Sequence, residues 1–168
     1  MKTIIFAQVF IAFVIGVSAL YLIYKLMDIL LKKRFNIEEN NTAFAVFKVG
    51  VLISSALVIS SIVNPAVNAI RFLNPEGAIE INQMAISLAY VMVFVLIGIL
   101  FTFLIIGGGI MVFFQLTQTN EWDEIRNNNV ASSLISAAII VALSLIMDDY
   151  IGHLCEALIP YPEVMQIR

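Results

Sequence analysis

The sequence predicts an all-α membrane protein with four transmembrane helices arranged as two tandem-repeated helical hairpins. Composition supplies the first ground: of 168 residues, 61% are hydrophobic and 12% charged, with a mean hydropathy of +1.00. That balance lies outside the range of soluble domains. Four apolar runs supply the second, each approaching the roughly 20 residues needed to cross about 30 Å of hydrocarbon. The third is an internal similarity: "NNTAFAVFKVG" (Asn40 to Gly50) is echoed 88 positions later by "NNNVASSLISA" (Asn127 to Ala137).

The first run extends from Thr3 to Tyr24 and continues amphipathically through Leu31 to the basic cluster Lys32, Lys33 and Arg34. Its apolar part is too long for a signal peptide and no small-residue cleavage site closes it, so it reads as a helix. The second runs from Ala43 to Val63 and is expected to stop at Asn64-Pro65, because proline removes a donor and disfavours helix in the residue before it. The third starts near Met84 and stays apolar to Phe114, interrupted by Gly107 to Gly109. Either it projects beyond the bilayer or the glycines end or bend it. The fourth runs from Val130 to Met147 and meets Asp148-Asp149-Tyr150. A single membrane domain, 1–168, is expected. It comprises a first repeat at about 3–63, an outer linker at 64–83, a second repeat at about 84–151 and an interfacial tail at 152–168. Phe72 and Tyr161 suit the membrane boundary in the linker and tail.

A shift of 88 pairs Asn41 with Asn129, Ala43 with Ala131, Gly50 with Ala138 and Ser54 with Ala142. The asparagines read as helix caps, since their side chains accept from free N–H groups. Ala43, Gly50 and Ser54 share one helix face, as do Ala131, Ala138 and Ala142. Small residues on one face let backbones approach closely in lipid. Both stripes are therefore expected to pack helices, within the bundle or between copies of the chain.

Lys48 is the charge that lipid should not tolerate. It lies roughly 7 Å below the start of its helix, where its stem can snorkel back to the interface. The alternative is an inward lysine marking a polar path with Ser55 and Ser136, the latter its partner in the repeat, and with Asp28 within reach as a counter-ion. Asp148 and Asp149 point about 100° apart on a helix, so they are not expected to serve one site as a dyad. One cysteine, Cys155, excludes an intrachain disulfide and a thiolate metal site. No catalytic triad, phosphate-binding loop or metal-binding motif appears, so neither an enzyme, a cofactor nor a metal is expected. A net charge of −3 gives no footprint for nucleic acid.

The paired positions Asn41, Ala43, Gly50 and Asn129, Ala131, Ala138, with the loop "LTQTNEWDEIRNNNVA" (Leu116 to Ala131), resemble the YjfL-like bacterial inner-membrane proteins, the family of domain of unknown function 350. The similarity extends from the first helix to about Asp149. The longer linker and the tail depart from a minimal member. The resemblance implies four helices in two hairpins in a bacterial inner membrane. It also implies a structural or interaction role: homo-oligomers that meet a cytoplasmic partner of membrane-stress or envelope maintenance. It carries no established reaction. The other functional class open to the residues is a subunit of a small oligomeric ion or solute channel or transporter, with the serine-rich "SSALVISS" (Ser54 to Ser61) lining its path. Lysine and arginine counts put the two tight hairpin loops in the cytoplasm and both termini outside.

Overall fold

The computed structural model describes residues 2–29, 41–73, 81–117 and 120–159. It is all helical within them: α1 (Lys2–Met27), α2 (Thr42–Leu73), α3 (Ile81–Thr117), a short α4 (Glu121–Arg126) and α5 (Val130–Ala157). Three helices carry apolar spans long enough to cross a membrane, Thr42–Phe72, Ala85–Thr117 and Val130–Ala157, and α1 carries a shorter one, Phe13–Met27. The chain is a multi-pass helical membrane protein. In lipid each backbone group needs a partner from the chain itself, and a helix provides one within a single segment.

The central element is α2, which packs most extensively on α5, then on α3, with α1 along its other side. Ile15, Ala19, Ile23 and Met27, four residues apart, bury the inner stripe of α1, while Phe10, Phe13, Val17 and Tyr21 face outward. Outward apolar side chains need no protein partner where lipid is the solvent. Contacts of Gly50 with Ala137 and of Gly152 with Ser61 pair the early parts of α2 and α5 and then their late parts, so the two helices run parallel. Gly50 permits their closest approach: a Cβ there would lie 2.7 Å from the Cα of Ala137.

Two helix ends differ from the sequence expectation, and at a third the structure decides between the two alternatives the sequence left open. Pro65 does not stop α2, which continues to Leu73. The proline withholds one donor from the Ser61 carbonyl, but Ala66 and Ala69 beyond it are buried and Asn68 donates to Glu156 across the interface at 3.2 Å. Those contacts hold the helix past its own defect, as neighbouring helices do in membranes. Gly107 to Gly109 do not break α3, which runs 37 residues, about 55 Å at 1.5 Å per residue. Gly109 is instead a contact point, where a Cβ would lie 2.5 Å from Ile140 Cγ1. Likewise α5 passes through Asp148 and Asp149 to Ala157, so His153 and Cys155 extend the same helix. The basic cluster at 32–34, linker residues 74–80 and the tail from 160 onward, including Tyr161, lie outside the described residues.

Candidate functional site: a cross-capped hub and an acid-lined cleft

Two polar regions sit at opposite ends of the α2–α5 pair. The first is a hub where α4 wedges against the starts of α2 and α5. Asn41 caps α2, its Oδ1 accepting from the Phe44 N–H at 2.7 Å. Its amide nitrogen donates to the Ile125 carbonyl at 2.6 Å, one of the carbonyls at the C-terminus of α4 that have no donor one turn ahead within the helix. The residue that ends α4 returns the favour to α2. Asn128 adopts a left-handed φ of 60°, its N–H bonded to Ile125 O, while the Asn129 N–H reaches Glu124 O, the paired closure of a Schellman turn. Asn128 Oδ1 then accepts from the Ala43 N–H at 2.9 Å. Asn129 caps α5 by accepting from Ser132 at 3.2 Å, and its own amide is held by Glu124 at 2.5 Å. Three consecutive asparagines thus close one helix, cap a second and tie in a third.

Beneath this ring lies Glu121, the first residue of α4, only 1% exposed. Among the described residues neither of its carboxyl oxygens lies within close hydrogen-bonding geometry of a donor. Burial pushes its pKa up from an ordinary 4.5 to about 7, and Ser136 beside it tempers the shift. The Ser136 proton is otherwise engaged with the Ser132 carbonyl at 3.0 Å. Next in sequence, Trp122 packs edge-on against Phe47 of α2, ring centroids 5.6 Å apart. Glu121 went unrecognised in the sequence because "NEWDE" reads as a solvated acidic loop; only the fold of α4 onto α5 buries one of its three acids.

The second region is a cleft of 420 Å³ between the far halves of α2 and α5, bordered by Ser60, Ser61, Asn64, Asp148, Asp149 and Glu156, with Pro65, Gly152 and His153. Its lining carries three carboxylates and one imidazole, and Glu156 accepts from Asn68. Asp148 keeps one buried oxygen without a partner. Pro65 supplies an unusual feature, for the Ser61 carbonyl lacks its usual helical donor and Gly152 lets α5 come within contact of that oxygen, a Cβ there lying 3.2 Å away. Asp148 and Asp149 diverge around α5, as helix geometry requires, yet both border the cleft because it wraps the side of that helix. Among the described residues no group of three or more histidines, cysteines or acids is placed to hold a metal ion.

The stripe Ala43, Gly50 and Ser54 is buried against the bundle, whereas Ala131, Ala138 and Ala142 of α5 are exposed on its outer side. The buried face of α5 carries Ser133, Ser136, Ala137, Ile140 and Ser144, on the side of the helix opposite the expected alanines at about 100° per residue. Lys48 lies apart from Ser55 and Ser136. Its ammonium pairs with Asp28 Oδ1 at 3.3 Å and lies 5.0 Å and 5.4 Å from the ring centroids of Phe44 and Tyr24. The structure thus joins α1 to α2 through this lysine. Most of the seam hydroxyls bond their own helix: Ser55 to Val51 O at 2.6 Å, Ser61 to Val58 O at 2.9 Å and Ser144 to Val141 O at 2.8 Å. Ser54 and Ser133, both buried, have no hydrogen-bond partner.

No curated protein and no solved structure matches the chain. A family profile does, over residues 2–151, which takes in the hub and most of the cleft. Four apolar helical stretches, the asparagine-capped starts of α2 and α5 and this match together place the chain in the family described as Domain of Unknown Function (DUF350).

Proposed function

We propose that this protein handles small cations at a membrane, as a subunit of an oligomeric channel or transporter that loads them through the α2–α5 cleft. The observation that supports the reading is the composition of that cleft: three carboxylates, two serines and an asparagine, with His153 beside them. Acidic groups near a low-dielectric region attract cations more strongly than they do in water.

The setting we infer is a bacterial inner membrane, with the hub on the cytoplasmic side and the cleft outside, following the bias of lysine and arginine in the short loops. The two hairpins read as tandem copies, supported by parallel α2 and α5 and by the like caps of Asn41 and Asn129.

Reconstitution into liposomes tests the function. Uptake of sodium, potassium or choline should exceed that of empty vesicles and fall about tenfold or more when Asp148 and Asp149 are both changed to asparagine, which removes two charges from the cleft. Uptake equal to that of empty vesicles for all three cations refutes cation handling.

One observation favours a second reading, a homo-oligomeric structural component that meets a membrane-stress partner. The stripe Ala131, Ala138 and Ala142 is exposed along α5, where a second copy of the chain can approach closely. In a Cys155→Ser background, Ala138→Cys should form a disulfide-linked dimer in the membrane, and its absence under oxidation removes this support.

A further inference from the structure

We infer that Glu121 is a proton-binding site, and that loss of its proton loosens the hub that ties the starts of α2 and α5 to α4. The inference is independent of the cleft and of any transport through it. Its basis is geometric: a carboxyl group 1% exposed, with neither oxygen hydrogen-bonded among the described residues, enclosed where α4 packs against α2, α3 and α5.

No cation in the described surroundings compensates a charged form. From α5 there is no titratable side chain before Asp148, at the far end; from α3 there is Tyr90 alone, near the opposite end. From α2 there is Lys48, whose ammonium is held by Asp28. On α4 itself are Asp123, Glu124 and Arg126; Glu124 is engaged by Asn129 and Ser132. The hydroxyl beside the group is that of Ser136, whose one hydrogen is claimed by the Ser132 carbonyl. A neutral carboxyl can donate to that hydroxyl as well as accept from it. A carboxylate can only accept, and must compete with a backbone carbonyl for the same hydrogen. A dry, unpaired carboxylate is costly. Its relief is water, which enters only if α4 moves off α5, and the Asn128 and Asn41 bonds to α2 then loosen with it.

Trp122 adjoins the group and is the chain's one tryptophan, so its emission reports on the hub. The full-length protein in nanodiscs should show a reversible Trp122 transition with its midpoint near neutral pH. Glu121→Gln, neutral at every pH, should hold the low-pH signal from pH 5 to pH 9, while Glu124→Gln should keep the transition. Difference infrared spectra of the wild-type protein provide a readout without substitution: a protonated carboxyl band should vanish with the same midpoint. A wild-type signal flat across that range, a transition retained in Glu121→Gln, or no carboxyl band with that midpoint overturns the proposal. So does a midpoint that moves with sodium concentration at constant ionic strength, which identifies a sodium ion and not a proton as the bound cation.

Discussion

The contact between Gly50 and Ala137 makes the tightest demand on sequence in this bundle, and a single methyl group probes it. In Gly50→Ala the new Cβ would sit 2.7 Å from Ala137 Cα, whereas carbon atoms in contact settle at about 3.5–4.0 Å. About 1 Å must therefore be made up, and both nearest atoms belong to a residue whose backbone is fixed within α5. The helices separate or the side chains around them shift. Overpacking of this kind costs about 1–3 kcal/mol, and the α2–α5 interface is the most extensive among the described helices, so about 2 kcal/mol is expected. Alanine's helix propensity offers little relief, because helices persist in the membrane-unfolded state. The assay is reversible unfolding in mixed micelles of mild detergent and dodecyl sulfate, followed through Trp122. Gly50→Leu should be worse still. Equal or greater stability of Gly50→Ala would refute close backbone packing at this position.

Ala138→Leu, on the outer side of α5, should change unfolding free energy by less than about 0.5 kcal/mol, so a loss matching that of Gly50→Ala would contradict the register of α5. Asn128→Gly retains access to the left-handed turn but removes the acceptor for Ala43, costing about 1 kcal/mol, while Asn128→Ala adds backbone strain of about 1 kcal/mol; equal losses in the same assay would exclude that division of labour. Lys48→Met breaks a half-exposed ion pair and two ring contacts, so a loss of about 1 kcal/mol is expected, with cation uptake unchanged; altered uptake would place the lysine on the path. For Glu121 the folded state binds the extra proton, so stability falls as pH rises from its ordinary 4.5 through about 7 and stays low above that. The loss is roughly 3 kcal/mol, and Glu121→Gln should remove this component from a stability profile taken across the same pH range.

Membrane insertion, helical class and the caps at Asn41 and Asn129 were legible in the sequence, because each is a local property. Hydropathy over some 20 residues decides whether a segment leaves water, and an asparagine before a helix serves N–H groups two or three residues away. The burial of Ala43, Gly50 and Ser54 could be anticipated for a similar reason, since small residues spaced around one face leave a groove that a neighbour fills. What the tertiary structure alone decided concerns neighbours distant in the chain. Ala137 rather than Ala138 meets Gly50 because the rotation of α5 is set by everything packed around it, including Ile140 against Gly109, and alanines one position apart look alike in sequence. Pro65 remains inside α2 because Glu156 and the buried Ala66 and Ala69 hold the residues after it, a force absent from any local window. Lys48 finds Asp28, and Gly152 of α5 meets the Ser61 carbonyl, only when the helices assemble. Glu121 shows the difference most sharply: three acids crowd one short polar loop, and nothing in their spacing tells which will lose its water. That follows from the three-dimensional path of Asn127, Asn128 and Asn129, which turn α4 back onto α5 and close the hub over a single carboxyl group.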